Sequence, residues 1–321
     1  MKPLVIFLVG PTATGKSKIA IRIARRLGGE ILSADSMQVY RGMDIGTAKP
    51  SQAERRRVPH HLIDIVPASR SFSAFDYRKK AIKKIREVIR RGNIPIVVGG
   101  SGLYVRVLIQ GLSGQPGAYP NIRRVLEKQA RDHGVSFLYE KLLKIDPVRA
   151  TQIQPRDKRR IIRALEIYEA SGKRPSDWYQ GRKTLASLGF HPRVIGIKKP
   201  RELLYAEIQK RVDTMFRQGL VREAKRLFCE KLSKTASSAV GYKEIFHAFE
   251  GKISLNEARG QIVRNTRHLA KRQVTWFKRE EGITWVEWQA GDTVATLSDK
   301  IIRLLSCEMG VLPQCSSPGK R

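Results

Sequence analysis

Apolar runs of strand length and stretches with helical spacing alternate through the first third of the chain. Leu4-Val5-Ile6-Phe7-Leu8-Val9 is unbroken and apolar, and behind it Ala20, Ile23, Ala24 and Leu27 recur at the spacing of one helix face. Residues 30–35 read as a second buried strand, ending at Asp35. Residues 36–72 are turn-rich, with Gly42, Gly46, Pro50, Pro59 and Pro67, and a charged segment at 54–57 interrupts them. A helix then opens on the capping box Ser73 and Asp76, buries Ala81, Ile82, Ile85, Val88 and Ile89, and ends at Gly92. Residues 94–98 form a third buried strand, leading through Gly99-Gly100-Ser101-Gly102 into a helix over 103–109. Buried strands separated by helices predict an α/β fold with a doubly wound parallel sheet.

The pattern changes at 111–120, where Gly, Ser and Pro dominate, and from there to about residue 180 only helical spacing is found. This predicts a helical insertion over 113–190, between a first part of the core at 1–112 and a return to it at 191–311. The return begins with a strand at 193–197, and from Arg201 onward the reading is helical. Leu204, Ile208, Val212 and Met215 make one stripe, and a long helix over 255–278 carries Arg264, Arg267, His268, Lys271 and Lys278 away from its apolar face. Residues 312–321 read as a disordered polar tail.

Between the first strand and helix stands Gly10-Pro11-Thr12-Ala13-Thr14-Gly15-Lys16-Ser17, the pattern G-x-x-x-x-G-K-[ST]. Its glycines let successive N–H groups converge on phosphate oxygens, Lys16 adds a point charge, and the Ser17 hydroxyl suits a magnesium ion. The following helix turns its positive dipole end to the same anion, so a di- or triphosphate is expected. The loop alone leaves open whether phosphate is transferred, hydrolysed or expelled. Asp35, at the C-terminal end of its strand, is expected to share the pocket with Lys16, as general base or magnesium ligand; capping the next turn is its bland alternative. Asp44 and Asp64 are weaker candidates, Asp76 is a cap, and His60 and His61 read as packing. Tyr40 and Trp276 have the chemistry to stack on bases, although such aromatics more often belong to a core. Arg156, Arg159, Arg160 and Arg163 suit a lid over a triphosphate, a clamp on a nucleic acid backbone or a solvated face.

Charge narrows the partners. The 321 residues include 62 Lys and Arg against 29 Asp and Glu, a formal net charge of +33, far more than solubility requires. A nucleic acid is the leading polyanion. No apolar run approaches membrane-spanning length, and the first strand runs straight into the loop without room for a secretory signal, so a cytoplasmic protein is expected. Cys229, Cys307 and Cys315 lie far apart, without zinc-ligand spacing.

The phosphate loop, Asp35-Ser36-Met37-Gln38-Val39-Tyr40, Gly42-Met43-Asp44-Ile45-Gly46-Thr47-Ala48-Lys49-Pro50, Val98-Gly99-Gly100-Ser101-Gly102-Leu103-Tyr104 and Ala270-Lys271-Arg272-Gln273 occur in that order. Together, over roughly residues 4–288, they resemble the tRNA dimethylallyltransferases, also called tRNA isopentenyltransferases; the stretch at 42–50 is the most specific. The resemblance implies transfer of a dimethylallyl group from dimethylallyl diphosphate to the N6 amine of an adenine beside the tRNA anticodon, position 37, with Mg²⁺ as cofactor and a monomer as the default state. It implies Asp35, Ser101 and Lys16 as catalytic residues, Gly10, Pro11, Thr12, Ala13, Thr14, Gly15, Lys16, Ser17 and Arg211 as the diphosphate site, and Ser17 as the metal ligand. It implies tRNA contacts by Asp35, Ser36, Met37, Gln38, Ser101, Arg123, Arg159, Arg160, Ile161, Ile162, Arg163 and Lys271. Ser101 stands where the family usually has Thr, Arg156 where Asn is frequent, Glu207 where Arg is common, and Ser238 where Gln or Arg is usual. The runner-up, a small-molecule kinase, leaves the charge of +33 unexplained, and a nucleic-acid-dependent ATPase calls for an acidic pair where this chain has Asp35 alone.

Overall fold

The computed structural model describes residues 2–112, 117, 119–179 and 182–309. The expectations for 113–116, for the tail at 312–321 and for Cys315 lie outside them. The chain divides into two compact units, Met1–Val107 with Gly189–Arg321, and Leu108–Leu188.

The larger unit begins with β1 (Leu4–Val9), α1 (Lys16–Leu27) and β2 (Gly29–Ser33), followed by α2 (Gln52–Arg57) and β3 (His60–His61). Then come α3 (Ala74–Arg90), β4 (Ile94–Gly99) and α4 (Gly102–Gln110). Ser73 and Asp76 form the expected capping box on α3, and Gly92 follows its end with φ +77°. Ile82 and Ile89 of that helix are only half-buried, unlike Ala81, Ile85 and Val88. The predicted second strand stops at Ser33, so Asp35 lies in the turn beyond it.

The smaller unit holds α5 (Pro120–Asp132), α6 (Gly134–Ile145), α7 (Pro147–Ala150), α8 (Lys158–Ser171) and α9 (Pro175–Tyr179). Its core gathers Leu126, Leu138, Leu142, Ile153, Ile161 and Leu165. At its centre the wholly buried Glu166 accepts from Tyr119 N at 2.8 Å, Arg123 at 2.6 Å and Arg163 at 3.0 Å. Burial alone would raise its pKa, but these donors hold it below the usual carboxylate range.

The chain returns through β5 (His191–Lys198), α10 (Arg201–Arg217), α11 (Leu220–Phe228), α12 (Lys234–Ser237) and α13 (Tyr242–Phe249). It continues with α14 (Leu255–Phe277), β6 (Ile283–Glu287) and α15 (Val294–Met309). The strands form one parallel sheet in the order β3-β2-β4-β1-β5-β6. Ile6, Leu8, Ile96 and Ile195 meet Ile19 and Ile23 of α1 and Leu297 and Ile301 of α15 on one face. Strand alternation turns Val5, Phe7 and Val9 to the other face, where α3 packs on β2 and β4.

Two strands correct the sequence reading. β6 interrupts a region read as wholly helical; its five residues are too few to outweigh the helical periodicity on both sides, although Ile283, Thr284, Trp285 and Val286 are β-formers. β3 lies inside the turn-rich segment and extends the sheet by parallel backbone pairing with β2, to which side chains add. His61 Nε2 is 2.5 Å from the buried Glu30 carboxylate of β2, which also accepts from Arg91 at 2.7 Å and Asn93 at 2.7 Å. Burial works to raise the Glu30 pKa, but Arg91, Asn93 and His61 bring it from 4.5 down to about 2. A carboxylate depressed on folding stabilises the fold above its unfolded pKa and loses that contribution as pH falls through its folded one. Glu30→Gln is therefore expected to cost about 3 kcal/mol at neutral pH, where a buried ion pair loses a partner. In denaturant titrations the gap between variant and parent closes as pH falls from 4.5 towards about 2; a gap independent of pH would assign the loss to packing.

Candidate active site

Every loop that leaves a C-terminal strand end on β1, β2, β4, β5 and β6 contributes to one cleft of about 880 Å³. Thr12, Ala13, Gly15, Lys16 and Ser17 follow β1, Asp35 and Gln38 follow β2, and Gly99 and Gly100 close β4. Lys199 follows β5, with Glu207 and Arg211 on α10, and residues 288–294 follow β6. Gly99 is dictated by the close approach of the β4 and β2 ends, since a Cβ there would lie 2.1 Å from Ala34 O.

The glycine-rich loop curls with Gly10 and Gly15 at positive φ, and Gly15 precedes the first turn of α1. Contacts from distant parts of the chain hold it. Gln273 Oε1 of α14 accepts from Thr12 N at 2.8 Å, and Trp288 Nε1 donates to Thr14 O at 3.1 Å. Lys199 Nζ lies 4.3 Å from the centre of the Trp288 ring, a cation–π contact at the mouth of the cleft. Lys16 is buried, donating to Pro11 O and to Thr14 Oγ1 at 3.3 Å. Burial first and the nearby Arg211 second bring its pKa from 10.5 down to about 7, against the opposing pull of Asp35. Arg211 is likewise lowered by burial and supported by Asp35. Two cations and one carboxylate thus act on one another within the cleft.

Not all of the loop faces the cleft. Thr14 is wholly buried with its hydroxyl on Pro11 O at 2.9 Å, and Gly10 and Pro11 do not line the wall. The exposed Ser17 hydroxyl offers an oxygen ligand at the cleft. Among the described residues no group of three or more His, Cys, Asp and Glu could hold a metal by itself. A lone hydroxyl with a carboxylate nearby suits Mg²⁺, which usually keeps phosphate and water oxygens as its other ligands.

Asp35 caps a turn and also stands in the cleft wall. Its Oδ1 caps the following turn, accepting from Met37 N at 2.8 Å and Gln38 N at 3.4 Å, while the residue lines the cleft with Lys16 and Arg211. Ser101 Oγ accepts from Ser36 N at 2.9 Å and donates to Ser36 Oγ at 3.2 Å, tying the start of α4 to the same turn. Neither Ser36, Met37 nor Ser101 lines the cleft. Tyr40 is wholly buried, which removes it from base stacking, and Trp276 carries Arg106 over its ring at 4.4 Å. Lys49 binds Asp44 and Asp64, each at 2.6 Å, so both weaker acidic candidates are held in ion pairs.

In the smaller unit, Arg159 and Arg160 are exposed at the start of α8. Arg160 reaches Asp157 at 3.5 Å, and Arg123 and Arg163 share Glu166. Ile161 and Ile162 are only 0% and 4% exposed, which corrects their expected contact with tRNA: their side chains fill the core and anchor the helix that presents the arginines. Lys271 is exposed on α14. Sequence reasoning missed Lys199, Trp288 and the loop after β6, whose only local signal was the short β-forming run before Trp288.

A family model described as IPP transferase matches residues 38–280. The tRNA dimethylallyltransferase of Geobacter metallireducens is 48% identical over 289 residues, 89% of this chain and 93% of that protein. That of Geobacter sulfurreducens is 45% identical over 302 residues, 93% of this chain and 97% of its own. Of the solved structures, the full-length tRNA isopentenylpyrophosphate transferase of Bacillus halodurans has 39% identity and a TM-score of 0.69, with 97% of this chain and 99% of that one covered. A eukaryotic dimethylallyltransferase, solved in the course of acting on tRNA, has 29% identity and a TM-score of 0.82 over 98% of this chain and 82% of its own. Because the likeness runs nearly end to end in sequence and in fold, the chain belongs to the IPP transferase family.

Proposed function

We propose that this chain transfers the dimethylallyl group of dimethylallyl diphosphate to the N6 amine of adenine 37 in tRNA, beside the anticodon, and releases diphosphate. The observation that carries the reading is the meeting of Asp35, Lys16 and Arg211 in one cleft, a base beside two cations. The allylic C–O bond breaks, the N6–C bond forms, and the amine proton passes to Asp35. Thr12, Ala13, Gly15, Lys16, Ser17 and Arg211 bind the diphosphate, with the cations offsetting charge that grows on the leaving oxygen. Ser17 would hold Mg²⁺, whose chemistry here is to neutralise diphosphate oxygens. Ser101 keeps the Asp35 turn in place through Ser36.

The N6 amine is a poor nucleophile because its lone pair is delocalised into the ring, so removing its proton as the new bond forms matters. The base also has to leave its stack to reach a recessed site, at a cost of a few kcal/mol. A protein of net charge +33 offsets that cost through backbone contacts. Asp35 and Gln38 receive the base, while Ser36, Met37 and Ser101 hold the turn that carries them and meet the tRNA beyond the cleft; Arg123, Arg159, Arg160, Arg163 and Lys271 contact the tRNA. The protein acts as a cytoplasmic monomer; among the described residues no helix is long and apolar enough to cross a membrane. Incubation with tRNA and dimethylallyl diphosphate, followed by nuclease digestion and mass spectrometry of the nucleosides, should show prenylated adenosine. Unchanged nucleosides from tRNA that the protein demonstrably binds would refute the assignment.

A further inference from the structure

The stretch at 42–50 supplies Thr47, Ala48, Lys49 and Pro50 to the cleft wall, and a carboxylate from a distant helix holds it there. Glu223 of α11 accepts from three successive amides: Asp44 N and Ile45 N at 3.0 Å and Gly46 N at 3.1 Å. It also accepts from the Tyr242 phenol of α13 at 2.6 Å. Adjacent N–H groups converging on one anion are how a backbone turn binds a phosphate, and here the anion is the protein's own. Residue 46 has to be glycine, since a Cβ would lie 2.6 Å from the buried Tyr242 ring.

The far side of this loop meets the cleft. The carbonyls of Thr47 and Ala48 each accept from Gln38 Nε2 at 3.3 Å, while Gln38 Oε1 accepts from Ser33 Oγ at 2.9 Å. Both ends of the Gln38 carboxamide are thereby fixed, three positions from Asp35. The chain of contacts runs from Glu223 to the amides of 44–46, through the next two carbonyls, to a side chain in the cleft.

We propose that Glu223 is a positioning residue for the reaction. By clamping the amides of residues 44–46 it holds the loop that orients Gln38, and so controls how the RNA substrate is received without touching RNA or diphosphate. This rests on the cleft being the site of tRNA prenylation. Alanine at 223 leaves three amides without their acceptor. Glutamine keeps one acceptor oxygen but turns an NH₂ group towards donors, and aspartate is one methylene too short.

The test compares Glu223→Ala and Glu223→Gln with the parent in four readouts: hydrogen exchange at the amides of 44–46 without substrate, melting temperature, tRNA affinity, and KM for each substrate. Bonds to a charged acceptor are worth about 1.5–3 kcal/mol, so Glu223→Ala should speed loop exchange and weaken tRNA affinity and KM by about 10- to 100-fold. KM for dimethylallyl diphosphate should stay within about twofold and the melting temperature within a few degrees, with Glu223→Gln between variant and parent. Should Glu223→Ala fail to fold, Tyr242→Phe, which removes a single donor, is expected to weaken tRNA binding by about threefold to tenfold. Faster loop exchange with unchanged tRNA affinity would overturn the proposal, as would equal losses for both substrates together with melting temperature. If the parent binds tRNA but does not prenylate it, the proposed function fails, while exchange and affinity still decide the role of Glu223.

Discussion

Asp35→Asn should lower the rate of the chemical step by about 10²- to 10⁴-fold, the range for a lost general base, and leave tRNA affinity within about twofold. Asparagine is the informative substitution because Asp35, the proposed base, also holds a turn. Its Oδ1 holds the amides of Met37 and Gln38, and alanine would release that turn, together with Gln38, at the same time as it removes the base. Asparagine retains an acceptor at that place and cannot take up the amine proton. Single-turnover rates with bound tRNA separate the two effects. A loss of tRNA affinity matching the loss of rate would make Asp35 a recognition residue and leave the proton without an acceptor.

Lys16→Met is expected to lower kcat by about 10²- to 10³-fold, as when one charge-stabilising donor is removed from a leaving oxygen. It should also change a pH profile. Burial, reinforced by Arg211, leaves Lys16 with a pKa of about 7, so in the ligand-free protein it loses its proton as pH rises through neutrality. Diphosphate binding favours the charged ammonium and has to recover that proton. The KM for dimethylallyl diphosphate should therefore rise by up to about tenfold per pH unit above 7 in the parent, and this rise should vanish in Lys16→Met. A parent profile that is flat from slightly acid to slightly alkaline pH would show that Lys16 stays charged in the empty cleft.

What the sequence made legible was local. The phosphate loop announces itself because glycine, lysine and serine are needed at fixed spacing within eight positions, and Asp35 because a buried strand ends beside it. The capping box at Ser73 and the stripe on α10 are equally short-range. The rest depends on partners far apart in the chain. Glu30 with His61 and Arg91, Thr12 with Gln273, and Thr14 with Trp288 carry no signal in their own neighbourhoods. Ile161 and Ile162 show the converse case: resemblance pointed to RNA, while their helical spacing with Leu165 already matched a core stripe. The signature at 42–50 was recognisable from the outset, yet its glycine at 46 and its open amides make physical sense only beside Tyr242 and Glu223.

In the proposed reaction a loop of phosphate-transfer pattern holds a leaving group and transfers no phosphate. The most direct measurement follows both halves of the donor in a single turnover with bound tRNA. Prenylated adenosine and free diphosphate should appear in equal amounts, and added ATP should remain intact. Phosphate transfer or ATP consumption with no prenylated nucleoside would contradict the account.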